Sequence, residues 1–265
     1  MKKIYYLNRK IILNILVGYT LLSICINNDV VSENLPRIDN FPKFLQVMSS
    51  KSSELIDKAL KESRIPILFN KSSAGFSNFN FVSVTNKFNQ SRLLLLFSWK
   101  GPPSGYIFLV DMDGNIYDTV QTGFIKSIRV ESLTEEVKNN ILIIDVIKNS
   151  GTGARDDHFI IFDISNDKLN PIFNETSYAL SFPGPLMPDE NYELNATLYF
   201  ELLDGNKYLI YEVYRTDYRL DTKKNDFILD KTRRVAQRAY TFNKGKFEEI
   251  KDQKILNLLF FSGKE

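Results

Sequence analysis

The sequence predicts a mainly β fold: antiparallel β-hairpin repeats, propeller-like or forming a large sandwich, behind an N-terminal helical segment. Three observations predict it. Four segments read as apolar strand, turn residues, apolar strand. Aromatic residues make up 13% of the chain, with 20 Phe and 13 Tyr against one Trp, and such side chains suit a half-buried pleated surface. Apolar residues at helical spacing are clearest over residues 41–63.

The first element is a leader. MKKIYYLNRK precedes an apolar run from Ile11 to Ile26, the order found in a secretory signal. As a helix this run spans about 24 Å, short of the roughly 30 Å hydrocarbon core. Residues 1–25 are therefore read as a signal peptide rather than a permanent anchor. The leader carries Lys2, Lys3, Arg9 and Lys10 and no acid, so the 34 basic and 32 acidic residues of the whole chain become 30 and 32 without it. The body has no bias towards nucleic acid.

Cys25 is the only cysteine, which excludes an intrachain disulfide. LLSIC resembles a bacterial lipobox, with Ile24 where that motif has a small residue. The resemblance implies lipidation of Cys25. Ser23 and Cys25 also serve as the small residues before an ordinary cleavage site. Either route exports the chain to the periplasm or leaves it lipid-tethered in the bacterial envelope. The membrane is met only through the leader or that lipid.

Residues 26–40, polar and containing Pro36, read as a linker. A single β-rich domain is expected over 41–265, with a subdivision possible at the proline-rich 181–193. Within 41–63, Phe41, Phe44, Leu45, Met48, Leu55, Ile56, Ala59 and Leu60 share a helical face. The serines at 49–53 interrupt it, with Ser53 as N-cap of the second piece. Hairpins are expected at 106–120, 158–174, 197–213 and 238–250, where turn residues such as DGN and NKG supply positive φ. LLLLFSW and ILIIDVI are nearly continuous apolar runs, the pattern of strands buried on both faces. KILNLLFF reads as a closing strand or short helix.

SGTGARDDH, residues 150–158, holds two glycines and the only histidine. A phosphate loop must lead from a strand into a helix start, and HFIIFDI is a strand. A hydrolytic pair is available instead, because Asp156 and His158 share a strand face while Asp157 points the other way. Ser150 or a distant serine would be the nucleophile. Arg155 and Asp157 are candidate binding residues, as is Trp99 beside a Pro-Pro loop. In DMDGN, Asp111, Asp113 and Asn115 are candidate calcium ligands, although the glycine and glutamate spacing of an EF-hand is missing. KTRRVAQR with Lys223 and Lys224 forms a basic patch, read as a charged strand edge.

The glycine loop, the aromatic hairpins and the closing YTFNKGKFEEI resemble exported bacterial proteins built of FG-GAP-like hairpin repeats. That resemblance covers residues 90–250 and implies a calcium loop at DMDGN, where Gly114 comes earlier than in the family's loop. The expected function is an exported, non-enzymatic binding or scaffolding module for an envelope protein or glycan, with no cofactor. The alternatives are an envelope hydrolase using His158 with Asp156 and a calcium-stabilised adhesive module.

Overall fold

The computed structural model describes residues 37–50, 52–63, 65, 75–100, 105–133, 140–151, 153–182, 191–224 and 226–261. Residues 1–36, with the expected leader and Cys25, lie outside them. The fold is mainly β, with two antiparallel sheets and few helices.

Helix α1 (Phe41–Ser49) buries Phe41, Phe44 and Met48, and α2 (Ser53–Glu62) buries Ile56, Ala59 and Leu60. The serine run ends α1 by a local device. The Ser49 and Ser50 hydroxyls donate to the carbonyls of Leu45 and Val47, and the Ser50 amide also donates to Val47, so serine groups gather on the carbonyls of the last turn. The N-cap of α2 is Ser52, in extended conformation, one residue before the expected Ser53.

The first sheet runs β1 (Phe76–Thr85), β2 (Ser91–Trp99), β3 (Gly105–Val110), β4 (Ile116–Thr122) in chain order. The second contains β5 (Phe124–Glu131), β6 (Ile141–Gly151), β7 (Ala154–Asp163), β8 (Asn170–Ser181), β9 (Tyr192–Leu203), β10 (Asn206–Asp221), β11 (Asp226–Asn243) and β12 (Lys246–Glu249), also in sequential order. All four expected hairpins are present, as β3–β4, β7–β8, β9–β10 and β11–β12. Tyr178–Ser181 pair with Tyr192–Asn195, so strands on both sides of the proline-rich stretch share one sheet; residues 183–190 lie outside the described residues.

The apolar runs are explained by burial on both faces. In β6, Leu142, Ile144 and Val146 join a core cluster shared with Leu94 and Leu96 of β2 and Ile107 and Leu109 of β3. Ile141 and Ile143 point the opposite way, into a second cluster with Phe173, Leu198, Leu209, Tyr211 and Tyr240. Alternation with period two therefore feeds two cores from one strand. In β2 the same alternation aims Phe97 at the helices, 6.4 Å from Phe44 by ring centroids.

The chain changes sheets at Gly123, the one residue between β4 and β5. A Cβ there would run into the Ile147 carbonyl oxygen, which is backbone and cannot yield. Polar contacts tie the sheets together as well. Arg92 of β2 makes a forked pair with Asp167 in the β7–β8 turn, at 2.9 and 3.0 Å. The Leu169 amide donates to Asp118 of β4 at 2.7 Å.

The second sheet curls strongly. In a flat sheet β5 and β9 would lie four strand spacings apart, about 19 Å. Here Arg129 of β5 donates to the Leu198 carbonyl of β9 at 3.2 Å, and Lys207 of β10 donates to the Ser132 carbonyl beyond β5 at 2.7 Å. The limited β8–β9 pairing permits this, and the second core fills the inside of the curl.

One expectation needs correction. Residues 37–40 were expected in a linker, yet Ile38 is fully buried, its amide bonded to the Gly114 carbonyl at 2.9 Å. Of the two readings for the C-terminal segment, strand or short helix, the structure has the helix, α3 (Gln253–Phe261), which adds no strand to either sheet. No helix among the described residues is long and apolar enough to cross a membrane.

Candidate functional site

The SGTGARDDH stretch is a hairpin turn. Ser150 opposes Arg155 and Gly151 opposes Ala154. Gly153 has φ of 74°, and its carbonyl accepts from the Phe182 amide at 2.6 Å. A strand follows, so no helix start faces an anion.

Strand β7 sorts its polar residues onto two faces. Asp156 and His158 share one, as expected. His158 Nε2 lies 3.1 Å from Asp156 Oδ2, and Nδ1 lies 2.8 Å from Asn174 Oδ1. Lys148 also donates to that Asn174 oxygen, at 3.3 Å. Burial pulls the Lys148 ammonium below its ordinary range, against the attraction of Asp156. Both imidazole nitrogens are engaged. Ser150 opposes Arg155 and so sits on the other face from His158. A triad needs the histidine to hold an acid with one nitrogen and a nucleophile with the other; these residues are not arranged that way.

The opposite face holds the candidate binding residues Arg155 and Asp157, and here the structure shows a buried ion-pair cluster instead of an open loop. The Asp157 side chain is 0% exposed. Arg155 grips it from two residues away, with Nε 2.9 Å from Oδ1 and Nη2 2.7 Å from Oδ2. Lys126 Nζ lies 2.8 Å from Asp157 Oδ2 and 2.7 Å from Asp145 Oδ2. The Ser177 hydroxyl donates to Asp145 Oδ1 at 2.5 Å. Burial works against the Lys126 charge, but its hydrogen bonds to Asp145 and Asp157 outweigh that and raise its pKa.

Bulges assemble these groups. Lys126 and Ser177 are the extra residues of irregularities in β5 and β8, and Lys148 is the extra residue of one in β6. A bulge re-aims a side chain locally. The sequence offered one signal for this cluster, the lone Asp145 inside the apolar run ILIIDVI. Nothing in the sequence marks Lys126 or Ser177.

Trp99 is 5% exposed and packs against Phe76, Phe97 and Tyr106. Its environment is an aromatic core, not an open stacking surface. In DMDGN, Asp111 organises the turn: Oδ1 accepts from the amides of Asp113 and Asn115, and Oδ2 accepts from the Asn115 side chain at 2.8 Å. Partial burial opposes its charge, but the Asn115 and Asp113 bonds lower its pKa. The Asp113 carbonyl accepts from Arg37 at 3.0 Å. This turn docks the segment leading into α1.

The basic patch is laced with carboxylates. Arg233 lies 3.8 Å from Asp217, Arg234 3.2 Å from Glu212, and Arg238 3.6 Å from Glu175. Beyond Ala239, towards Asp226, β12 no longer pairs with β11, so these charges line an open edge.

A further face was missed in the sequence. Leu194, Ala196, Leu198 and Phe200 of β9 pack on the second core, so Asn195, Thr197, Tyr199 and Glu201 point away from it. In register beside them on β10 stand Tyr214, Glu212, Ile210 and Tyr208. Arg234 and Gln237 of β11 come next. Tyr199 and Tyr214 are 37% and 36% exposed. Glu212 is held by Arg234 and, at 2.6 Å, by Gln237. Burial first, then Glu212 and Glu201, hold the Tyr199 phenol above its ordinary range, so it stays a neutral hydroxyl. The alternation NATLYFE was the available signal.

Comparison with known proteins gives no matching family model, no matching curated protein and no matching solved structure.

Proposed function

We propose that the chain is an exported protein of the bacterial envelope that binds a glycan on the outer face of β9–β11 and catalyses no reaction. We also propose that its sheets pack as an open sandwich rather than a propeller, supported by the core cluster that the two sheets share.

One observation carries the binding reading: Tyr199 and Tyr214 are exposed on a sheet face where Glu212 is paired with Arg234. A tyrosine offers an apolar ring face for sugar C–H groups and a hydroxyl for hydrogen bonding. Asn195, Thr197 and Gln237 add neutral donors and acceptors on the same face. Glu212 is already paired, so the face favours a neutral, polyhydroxylated partner over a strongly charged one. Against catalysis stands the engagement of both His158 nitrogens. Export rests on the basic and apolar leader ending at Cys25.

The test is co-sedimentation of the protein, lacking its leader, with purified peptidoglycan. Saturable binding that soluble glycan fragments compete away supports the reading. No binding to peptidoglycan or to a panel of envelope polysaccharides, with binding to an envelope protein instead, would overturn it in favour of a scaffold.

A further inference from the structure

A crevice of about 280 Å³ opens where the β5–β7 strands and β9 approach each other inside the curl of the second sheet. Ile143 and Phe159 line one wall and Leu198 the facing one, while Ser127, Arg129 and Asp145 supply polar groups. The register explains the layout. Ser127 opposes Asp145, which opposes Phe159, and Arg129 opposes Ile143, one row further along. The volume is near the lower end for small-molecule sites, and an apolar lining with a few placed polar groups is their usual character.

The charge around the crevice is unbalanced. Two networks of ion pairs flank the crevice: Lys126 and Arg155 with Asp145 and Asp157, a balanced set, and Arg129 and Lys207 sharing the single carboxylate of Glu131. Four cations meet three carboxylates, an excess of one positive charge. Asp145 is satisfied by Lys126 and Ser177. Arg129 is 44% exposed; it gives one bond to the Leu198 carbonyl and lies 3.5 Å from Glu131. A guanidinium has five N–H donors in a fixed fork suited to a carboxylate.

We infer that this crevice binds a small apolar monocarboxylate, its hydrocarbon part against Ile143, Phe159 and Leu198 and its carboxylate on Arg129. The site is separate from the outer face of β9–β11, because Leu198 points towards the second core and Tyr199 away from it.

The probe is octanoate, titrated by calorimetry and by the methyl NMR signals of Ile143 and Leu198. Saturable binding that shifts these methyls is expected, with octanol at least tenfold weaker and octylammonium not binding. Arg129→Gln should weaken octanoate at least tenfold. Ser127 is exposed on β5, so Ser127→Phe should obstruct the crevice while leaving the core and the melting temperature unchanged. Failure of the wild type to bind octanoate saturably would overturn the inference. So would equal affinity for octanoate and octylammonium, or unchanged affinity in both variants. The peptidoglycan reading survives any of these results.

Discussion

Lys126 on β5 and Asp157 on β7 meet at 2.8 Å across an intervening strand, and the Asp157 side chain is fully buried. Lys126 spans that distance because it is the extra residue of a bulge. It also holds Asp145 of the strand between them, so three strands are pinned by one ammonium.

Removing the buried carboxylate should therefore be costly. Asp157→Ala leaves Arg155 without its forked partner and Lys126 with half of its compensation. A loss of about 3 kcal/mol is expected, the scale for breaking a buried pair from one side. The urea midpoint measures it, and a loss below about 0.5 kcal/mol, the range of neutral surface changes, would show the cluster to be incidental.

Gly123 and Gly151 should respond oppositely to alanine. A Cβ at Gly123 meets the Ile147 carbonyl, whereas nothing lies within 4 Å of one at Gly151. Gly123→Ala should lower the melting temperature strongly or prevent folding, and Gly151→Ala should leave it nearly unchanged. Equal melting temperatures would contradict the sheet crossing at Gly123.

Base should unfold the protein. Burial, then the Glu175 charge, pushes the Tyr211 phenol well above its ordinary value, and burial raises Tyr178 and Tyr240 too. In the unfolded chain these phenols ionise at about pH 10. Above that pH the unfolded state has lost protons that the folded state retains, so stability falls as pH rises. The raised Lys126 acts in the same direction and the lowered Lys148 in the opposite one. Denaturant curves should show stability declining above about pH 10, with phenolate absorbance appearing in step with unfolding. Full ionisation of the tyrosines without loss of stability would exclude this account.

The leader makes a prediction of its own. Expressed in a bacterial host, the mature protein should begin at Cys25 with acyl mass and partition with membranes, or begin at Ile26 without added mass. Cys25→Ala should abolish the first outcome. An intact, unprocessed leader in intact-mass spectra would contradict export through a cleaved signal.

Much of the fold was legible because period-two alternation and turn chemistry are local. The β9–β10 hairpin is visible as TLYFELL–DGN–KYLIYEV, and the doubly buried β6 as ILIIDVI. The candidate sites were less legible because they depend on register. Asp156 and His158 met as expected, since two residues on one strand face need no further information. Asp157 was read as a candidate binding residue rather than a buried ion-pair partner, because Lys126 is 31 residues away and is aimed by a bulge. Trp99 was misread because its burial depends on Phe76 and Tyr106 from neighbouring strands. The linker boundary was misplaced because Ile38 is held by the backbone of Gly114, 76 residues on, with no side-chain pattern to mark it.

The most direct measurement is peptidoglycan affinity for the wild type beside Tyr199→Ala, Tyr214→Ala and the double variant, each with its melting temperature. Each single change should weaken binding about tenfold, or about 1.4 kcal/mol, the scale of a central aromatic contact. The double variant should lose measurable binding while both residues' exposure keeps the melting temperature within a few degrees. Unchanged affinity in the double variant, with the protein folded, would contradict glycan binding at this face.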